Sequence, residues 1–306
     1  MEEQALKQMK IAVLMGGVAA EREVSLRSGA AVTQALQQAG FLAQGIDVQS
    51  LSDLQALQGE CDVAFLALHG RWGEDGTVQA ILHDLQIPYT GSGLSASAIG
   101  MDKLRTKWMW LGAGLPTPKF QWVSAQRPLD ENQFDVPFPV MVKPTHEGSS
   151  IGMRKVYDWA ALVEAVAYAQ QFDEEVLIEQ WVTGREFTAA VLGHEALPLI
   201  ELKTSHDFYD YEAKYQANDT QYLCPVALAQ GQEAQLQNMV LEAFKVIGCQ
   251  GWGRVDFMLD DDQQPWLIEI NTAPGMTDHS LVPMAARQSG RSFEMLVVEI
   301  LKQALA

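Results

Sequence analysis

Residues 254–271 hold the pattern that most narrows what this chain can fold into. Arg254-Val255-Asp256-Phe257-Met258-Leu259 and Trp266-Leu267-Ile268-Glu269-Ile270-Asn271 flank a run dense in turn formers over residues 260–265. Two alternating runs around such a turn predict an antiparallel hairpin. Strand side chains alternate faces, so Arg254 and Asp256 share one face, as do Glu269 and Asn271. A register centred in the turn sets Asp256 opposite Glu269 and Arg254 opposite Asn271, and sends Val255, Phe257, Ile268 and Ile270 into a core. Facing carboxylates repel unless a cation lies between them. Two carboxylates and an amide oxygen form a hard-oxygen set that suits Mg²⁺. The same four residues are equally readable as the solvated face of a surface hairpin. Gly275, a few residues on, allows a close backbone approach, and its N–H beside Arg254 is placed to stabilise an oxyanion. A plain Pro-Gly turn fits that stretch as well.

Upstream, the apolar run 11–15 ends in Gly16-Gly17 and leads into a helical stripe of Val24, Ala31, Val32, Ala35 and Leu36. Runs at 41–48, 63–68 and 87–90 read as strands and 78–85 as a helix. Strands alternating with helices predict a parallel sheet, hence a Rossmann-like first third. The Gly/Ser/Ala-rich stretch 91–100 is a candidate boundary, followed by a helix from Met101 to about Gly112. Runs at 138–143, 151–156 and 176–179, with a helix over 159–172, predict an α+β unit. Then come strands at 187–192 and 197–202, a helix over 232–247, and a last amphipathic helix capped by Ser292. The polar, aromatic stretch 203–222 has no period, and loops of that length are commonly lids or disordered.

At 306 residues the chain is long for a single core, so two or three domains are expected. A net charge of −18 disfavours nucleic acid as a partner. The three cysteines, Cys61, Cys224 and Cys249, are widely spaced and form no Cys-x-x-Cys, which argues against a disulfide framework or a zinc site and for a reducing cytoplasm. The first ten residues do not read as a signal peptide, and no apolar run approaches the ~20 residues of a membrane span.

Phosphate-binding signals are modest one by one. There is no P-loop motif, and Gly16-Gly17 lacks the dinucleotide fingerprint. The run Phe138–Val142 ends in Lys143, and Glu147-Gly148-Ser149-Ser150-Ile151-Gly152 follows. Backbone N–H groups of such a loop can cradle phosphate while the lysine supplies charge. A hairpin turn beside a solvated lysine is the plainer alternative. His69 closes a strand, where ligand crevices open in α/β sheets, and Glu21-Arg22-Glu23 opens the first helix.

The order of these segments resembles the D-alanine–D-alanine ligase family of the ATP-grasp superfamily along essentially the whole chain. The resemblance rests on VLMGGVAAEREVSL, ALHGRWGEDG, PYTGSG, MDKLRTK, VMVKPTHEGSSIGM, EEVLIEQWVTGREFT, FYDYEAKY, GWGRVDFMLD and EINTAPGMTDHSLVP. It implies an α/β and α+β three-domain ATP-grasp architecture: a Rossmann-like (preATP-grasp) domain over 1–96, a central subdomain over 97–183, and a C-terminal subdomain over 184–306 with a lid at 203–222. It implies ATP as a substrate, with Lys103, Lys143 and Lys214 at its phosphates, and Ser149 and Ser150 in the adjoining loop. Glu179, Gln180, Trp181 and Val182 would lie on the adenine side, and Glu186 at the ribose. Two Mg²⁺ (or Mn²⁺) ions would sit on Asp256, Glu269 and Asn271, with the identity of any monovalent cation left open. Glu21 would hold the first D-alanine's ammonium, in a triad with Ser149 and Tyr215, and His69 would lie close to that substrate. Arg254 and the Gly275 N–H would form the oxyanion hole, and Ser280 and Leu281 would take the second D-alanine's carboxylate. A cytoplasmic homodimer serving peptidoglycan synthesis is the family expectation.

The chain departs from the family pattern at Gln180, Val18-Ala19, Trp72 and His146. His146 stands where arginine is familiar, and Gln180 where lysine is. Three rival readings follow: a D-alanyl-D-lactate ligase, which Tyr215 argues against; another ATP-grasp ligase of the glutathione-synthetase kind; and a non-catalytic binding protein, which would have no need to keep Arg254, Asp256, Glu269 and Asn271 together.

Overall fold

A computed structural model describes residues 6–204, 220–277 and 279–305. Strand β1 (Lys10–Gly16), helix α1 (Arg22–Gln38), β2 (Leu42–Val48), α2 (Leu51–Gln55), β3 (Val63–Leu66) and α3 (Thr77–Asp84) alternate along the chain. The sheet runs β2-β1-β3 with every pairing parallel, as the alternation predicts. The expected strand at 87–90 does not form. Tyr89 makes one isolated bridge to Ala64. Pro88 has no N–H to extend a ladder, so only its carbonyl engages the sheet, accepting from Ala64 N at 2.8 Å.

The expected boundary at 91–100 is largely helical. Helix α4 (Leu94–Met101) leads directly into α5 (Lys103–Gly112), with Asp102 capping α5 by accepting from Arg105 N. Next come β4 (Phe120–Val123), β5 (Val140–Pro144), β6 (Arg154–Val156), α6 (Trp159–Ala169) and β7 (Val176–Gln180). These four strands form an antiparallel sheet in the order β4-β7-β5-β6. Helix α6 buries Leu162, Ala165, Val166 and Ala169 in the core with Val140, Val142, Val176 and Ile178. Strand β4 is the element here that the apolar pattern does not reveal, because three of its four residues are only half-buried.

The third sheet holds β8 (Gly184–Leu192), β9 (Glu195–Ala196), β10 (Ile200–Lys203), β11 (Gln221–Leu223), β12 (Trp252–Asp260) and β13 (Pro265–Asn271). Its order is β11-β10-β8-β12-β13, with β9 pairing β8. Helix α7 (Gln232–Ile247) covers one face. Helices α8 (Leu281–Gln288) and α9 (Phe293–Gln303) complete the chain, and Ser292 caps α9 as expected. Leu296, Val297, Ile300 and Leu301 of α9 share a core with Ile11, Val13 and Val32 of the first unit and Ala190 and Trp252 of the third sheet. Continuous burial therefore fixes the parallel sheet against the C-terminal sheet. No described helix is long and apolar enough to cross a membrane.

Candidate active site

The hairpin forms with the register read from its sequence. Arg254 pairs Asn271, Val255 pairs Ile270 and Asp256 pairs Glu269. Beyond that point the ladder shifts, so that Phe257 faces Leu267 and Ile268 is the extra residue of a β-bulge. A one-residue slip exchanges faces. Leu267 therefore enters the core fully buried, while Ile268, expected inward, lines the cavity in front of the sheet. The bulge is held from behind. Leu267 N donates to Pro116 O at 2.9 Å, and Leu267 O accepts from Thr117 Oγ1 at 2.9 Å and from Lys107 Nζ at 3.4 Å.

On the cavity face, Arg254 grips Asp256 with two hydrogen bonds, from Nε to Oδ1 at 2.9 Å and from Nη2 to Oδ2 at 2.7 Å. Thr188 Oγ1 and Asn271 Nδ2 also donate to the Asp256 carboxylate, at 2.5 Å and 3.2 Å. Arg254 thus holds one of the two facing carboxylates, and Glu269 presents the second on the same cavity wall. Carboxylate oxygens are the donor set that hard divalent cations take. The residues present fit Mg²⁺.

The cavity measures about 1310 Å³ and runs between the hairpin, the central antiparallel sheet and the ends of β1 and β3. Every expected site residue among the described ones lines it: Glu21, His69, Lys103, Lys143, Ser149, Ser150, Glu179, Gln180, Trp181, Val182, Glu186, Arg254, Asp256, Glu269, Asn271, Gly275, Ser280 and Leu281. Lys214 and Tyr215 lie outside the described residues.

Glu21 sits just before α1, where two glycines close around its carboxylate. A Cβ on Gly70 would come within 2.6 Å of Oε2, and one on Gly148 within 2.7 Å of Oε1. Across that narrow approach Ser149 Oγ donates to Glu21 Oε1 at 2.8 Å. Ser149 and Ser150 have φ of 53° and 60°, a left-handed turn that bends the loop over Glu21. Two members of the expected triad are therefore in contact. Lys103 Nζ donates to the Glu147 carbonyl at 2.6 Å, which ties α5 to the same loop.

Lys143 is more constrained than a solvated phosphate ligand. Its Nζ donates to Glu179 Oε2 at 2.6 Å, and Lys107 pairs with the other oxygen of that carboxylate. All three groups are buried. Burial pulls the Lys107 ammonium down to about 8, opposed by the Glu179 charge. Burial works to raise Glu179 as well, but the two ammoniums outweigh it and hold the carboxyl below its ordinary range. Glu179 is therefore a charged strut whose side chain is taken up by lysines. At the end of β7, Lys155 Nζ lies 3.8 Å from the ring centre of Trp181.

His69 is buried with both ring nitrogens engaged, Nδ1 with Ala273 O at 2.8 Å and Nε2 with Ser28 Oγ at 3.2 Å. Burial lowers its pKa, so the neutral ring donates from Nδ1 and accepts at Nε2. Ser28 Oγ accepts in turn from Met276 N at 3.1 Å. The ring thus shapes the 273–276 loop. Glu74 does related work: it accepts from Gly70 N at 2.8 Å and Ala273 N at 3.2 Å. Burial pushes its carboxyl up to about 7 against the pull of those N–H groups. Glu74 and Lys107 lie within two segments that carry the family resemblance, but an acidic residue in a turn and a basic one in a helix give no sign of these roles by themselves. Ser280 stands at the N-cap position of α8, but its Oγ turns back from the helix to accept from Thr277 N at 2.9 Å. A Cβ on Gly275 would meet that Oγ at 2.9 Å, so Gly275 lets the loop pass close to Ser280.

Residues 109–302 match the family description "D-ala D-ala ligase C-terminus", and residues 45–92 match "D-ala D-ala ligase N-terminus". The D-alanine–D-alanine ligase of Hydrogenovibrio crunogenus is 64% identical, over 97% of this chain and 95% of its own length. The chain belongs to the D-alanine–D-alanine ligase family. The relative from Alcanivorax borkumensis is 55% identical, over 100% of this chain and 98% of its own. The Bacillus anthracis D-alanine–D-alanine ligase solved with ATP superposes with a TM-score of 0.87 at 32% identity, covering 97% of both chains. As in that family, the fold is the ATP-grasp arrangement, with two antiparallel sheets facing each other across the cavity.

Proposed function

We propose that this chain uses ATP to join two D-alanine molecules into D-alanyl-D-alanine for peptidoglycan synthesis. The observation that carries the reading is the single cavity in which the acidic hairpin face stands opposite Lys103, Lys143 and the Ser149–Glu21 pair. In the first step one carboxylate oxygen of the first D-alanine attacks the γ-phosphorus of ATP, and ADP leaves. The amine of the second D-alanine then attacks the acyl carbon, loses a proton, and expels phosphate. Catalysis of this kind is largely positioning and charge neutralisation.

Each wall of the cavity takes a part. Lys103, Lys143, Ser150 and Lys214 hold phosphate oxygens. Gln180, Trp181 and Val182 flank the adenine beside Glu179, and Glu186 takes the ribose. Asp256, Glu269 and Asn271 would hold two Mg²⁺ (or Mn²⁺) ions, which supply charge neutralisation at the phosphates when bound. Glu21 fixes the first D-alanine's ammonium and is steadied by Ser149 and Tyr215. Arg254 and the Gly275 N–H stabilise the tetrahedral oxyanion. Ser280 and Leu281 receive the second carboxylate, and His69 with Glu74 keeps the 273–276 backbone in place. The working units are 1–96, 97–183 and 184–306, with 203–222 closing over the acyl phosphate to exclude water. A homodimer in the cytoplasm completes the reading. Phosphate release with ATP, Mg²⁺ and D-alanine tests it, and release no greater than with ATP and Mg²⁺ alone would overturn it.

A further inference from the structure

A second charged cluster stands outside the cavity wall, at the root of the loop that carries Ser149. The His146 backbone N donates to Asp173 Oδ2 at 2.7 Å. Its ring bridges two carboxylates, with Nδ1 2.9 Å from Asp173 Oδ2 and Nε2 3.1 Å from Asp102 Oδ2. Thr145 Oγ1 also lies 2.8 Å from Nδ1, and its one hydrogen serves either that nitrogen or Asp173. With the hydroxyl turned to Asp173, holding both carboxylates takes a hydrogen on each ring nitrogen, which only the imidazolium carries. Asp102 is the cap of α5 and immediately precedes Lys103. Lys103 N donates to Thr145 O at 3.0 Å, and Thr145 Oγ1 donates to Asp173 Oδ2 at 3.0 Å. One ring thus joins the first turn of α5, the turn before β7 and the loop holding Ser149.

We propose that His146 is a positioning residue of the ligase: as an imidazolium it pins the 146–150 loop to the start of α5, and so sets where Ser149 and Lys103 stand in the cavity. Its kinetic consequences rest on the function proposed above, while the pin itself does not. Acidic groups outnumber basic ones around the ring. Asp102 and Arg105 face it from α5, and Asp173, Glu174 and Glu175 from the turn into β7. Arg71 and Asp75 line the far side of the adjoining cleft. Arg105 is committed to Asp102 and Glu175, and Arg71, paired with Glu147, acts on Asp173 only at longer range, so the ring is the cation in direct contact with Asp173. Hydrogen bonds to Asp102, then to Asp173, push the imidazole up to about 9. The pin is therefore complete at neutral pH and is lost as pH rises through about 9, because a raised histidine pKa contributes only while the ring is charged.

The decisive experiment follows the histidine ring signals of the wild-type chain by NMR from pH 6 to 10, with His146→Gln to assign them, together with the amide signals of Ser149 and Lys103. The expected result is a His146 titration near 9, with both amides moving through the same midpoint. A ring that titrates in the ordinary range near ~6.5, or amides that stay still through its titration, would overturn the proposal. The kinetic arm measures kcat/KM for ATP at neutral pH. His146→Gln should lower it roughly tenfold to a hundredfold, the scale of a lost hydrogen bond to a charged group. His146→Arg, which keeps a two-sided cation, should recover most of it and should remove the fall above pH 9 attributable to the ring. Equal losses in the two variants would mean that the ring only fills space, and would also overturn the proposal. A wild-type chain without D-alanine-dependent phosphate release would sink the ligase reading while leaving the amide titration to decide the pin.

Discussion

The two sides of the cavity are built on different principles. The hairpin side gathers Arg254, Asp256, Glu269 and Asn271 from one local element, placed by strand alternation and register. The opposite side joins Glu21, at the mouth of the parallel sheet, to Ser149, in a loop of the central sheet, across 128 residues of sequence. One side is preset by its own backbone. The other exists only when two separate units meet; among the described residues, Ser149 donates to Glu21 there, and Arg71 pairs with Glu147. The hairpin side should therefore fail through loss of fold or chemistry, and the joined side through loss of substrate grip.

The largest effect is expected behind the hairpin. Lys107 is 1% exposed, neutralises Glu179 and reaches the Leu267 carbonyl at the bulge. Lys107→Met should lower unfolding free energy by about 3–5 kcal/mol, the cost of breaking a buried ion pair from one side. Urea denaturation without nucleotide measures it. A loss below about 1 kcal/mol would show that Lys143 neutralises Glu179 unaided, and that the bulge needs no brace.

Next comes the hairpin face itself. Glu269→Gln keeps the shape and removes one of the two facing carboxylate charges. We expect kcat to fall roughly 10²–10³-fold at saturating substrates, as when one electrostatic contact to a transition state is deleted. Thermal stability should hold or rise, since a facing carboxylate is gone. A variant with normal kcat whose only defect is stability would mean that this face is the plain solvated one.

These two residues also show what a sequence discloses. Glu269 was legible because its partner Asp256 lies on the adjoining strand, and the alternation of polar and apolar residues fixes both faces. The bulge at Ile268 was not, since an extra residue is set by how Pro116 and Thr117 capture the Leu267 backbone, far from the alternation that suggests the ladder. Lys107 was silent for a related reason: its value lies in Glu179, 72 positions away, and its own helix shows no unusual pattern. The parallel sheet could be read from local alternation. The strand expected at 87–90 is held to one bridge, because Pro88 has no N–H to donate on one side and the Thr90 hydroxyl takes Leu66 N on the other. On the joined side, the Ser149 loop was a Gly/Ser-rich turn until Glu21 stood beside it, and only the family resemblance had brought the two together.

On that joined side, Ser149→Ala removes the hydroxyl that steadies Glu21 and leaves the loop's backbone intact. The expected result is roughly a tenfold rise in KM for the first D-alanine, about one hydrogen bond to a charged acceptor, with stability changed by less than about 1 kcal/mol. Initial rates across D-alanine concentrations at saturating ATP would show it. A fall in kcat with KM unmoved would place Ser149 with the hairpin residues, as a group that acts in the transition state alone.

The smallest effect separates the hydroxyl from the ion pair. Arg71 reaches Glu147 at 2.5 Å, but its side chain is 58% exposed, so water and salt screen the pair. Arg71→Ala should change stability by no more than about 1 kcal/mol and KM for D-alanine by less than about threefold at physiological ionic strength. The difference from wild type should widen at low salt, where screening weakens, and should vanish near ~1 M salt. Ser149→Ala should hold its defect across the same range, because a half-buried neutral donor owes little to long-range charge. If Arg71→Ala instead matched Ser149→Ala in size and ignored salt, the loop would be held by the ion pair rather than by the bond to Glu21. The contact between the two units would then be a rigid clamp, as preset as the hairpin facing it.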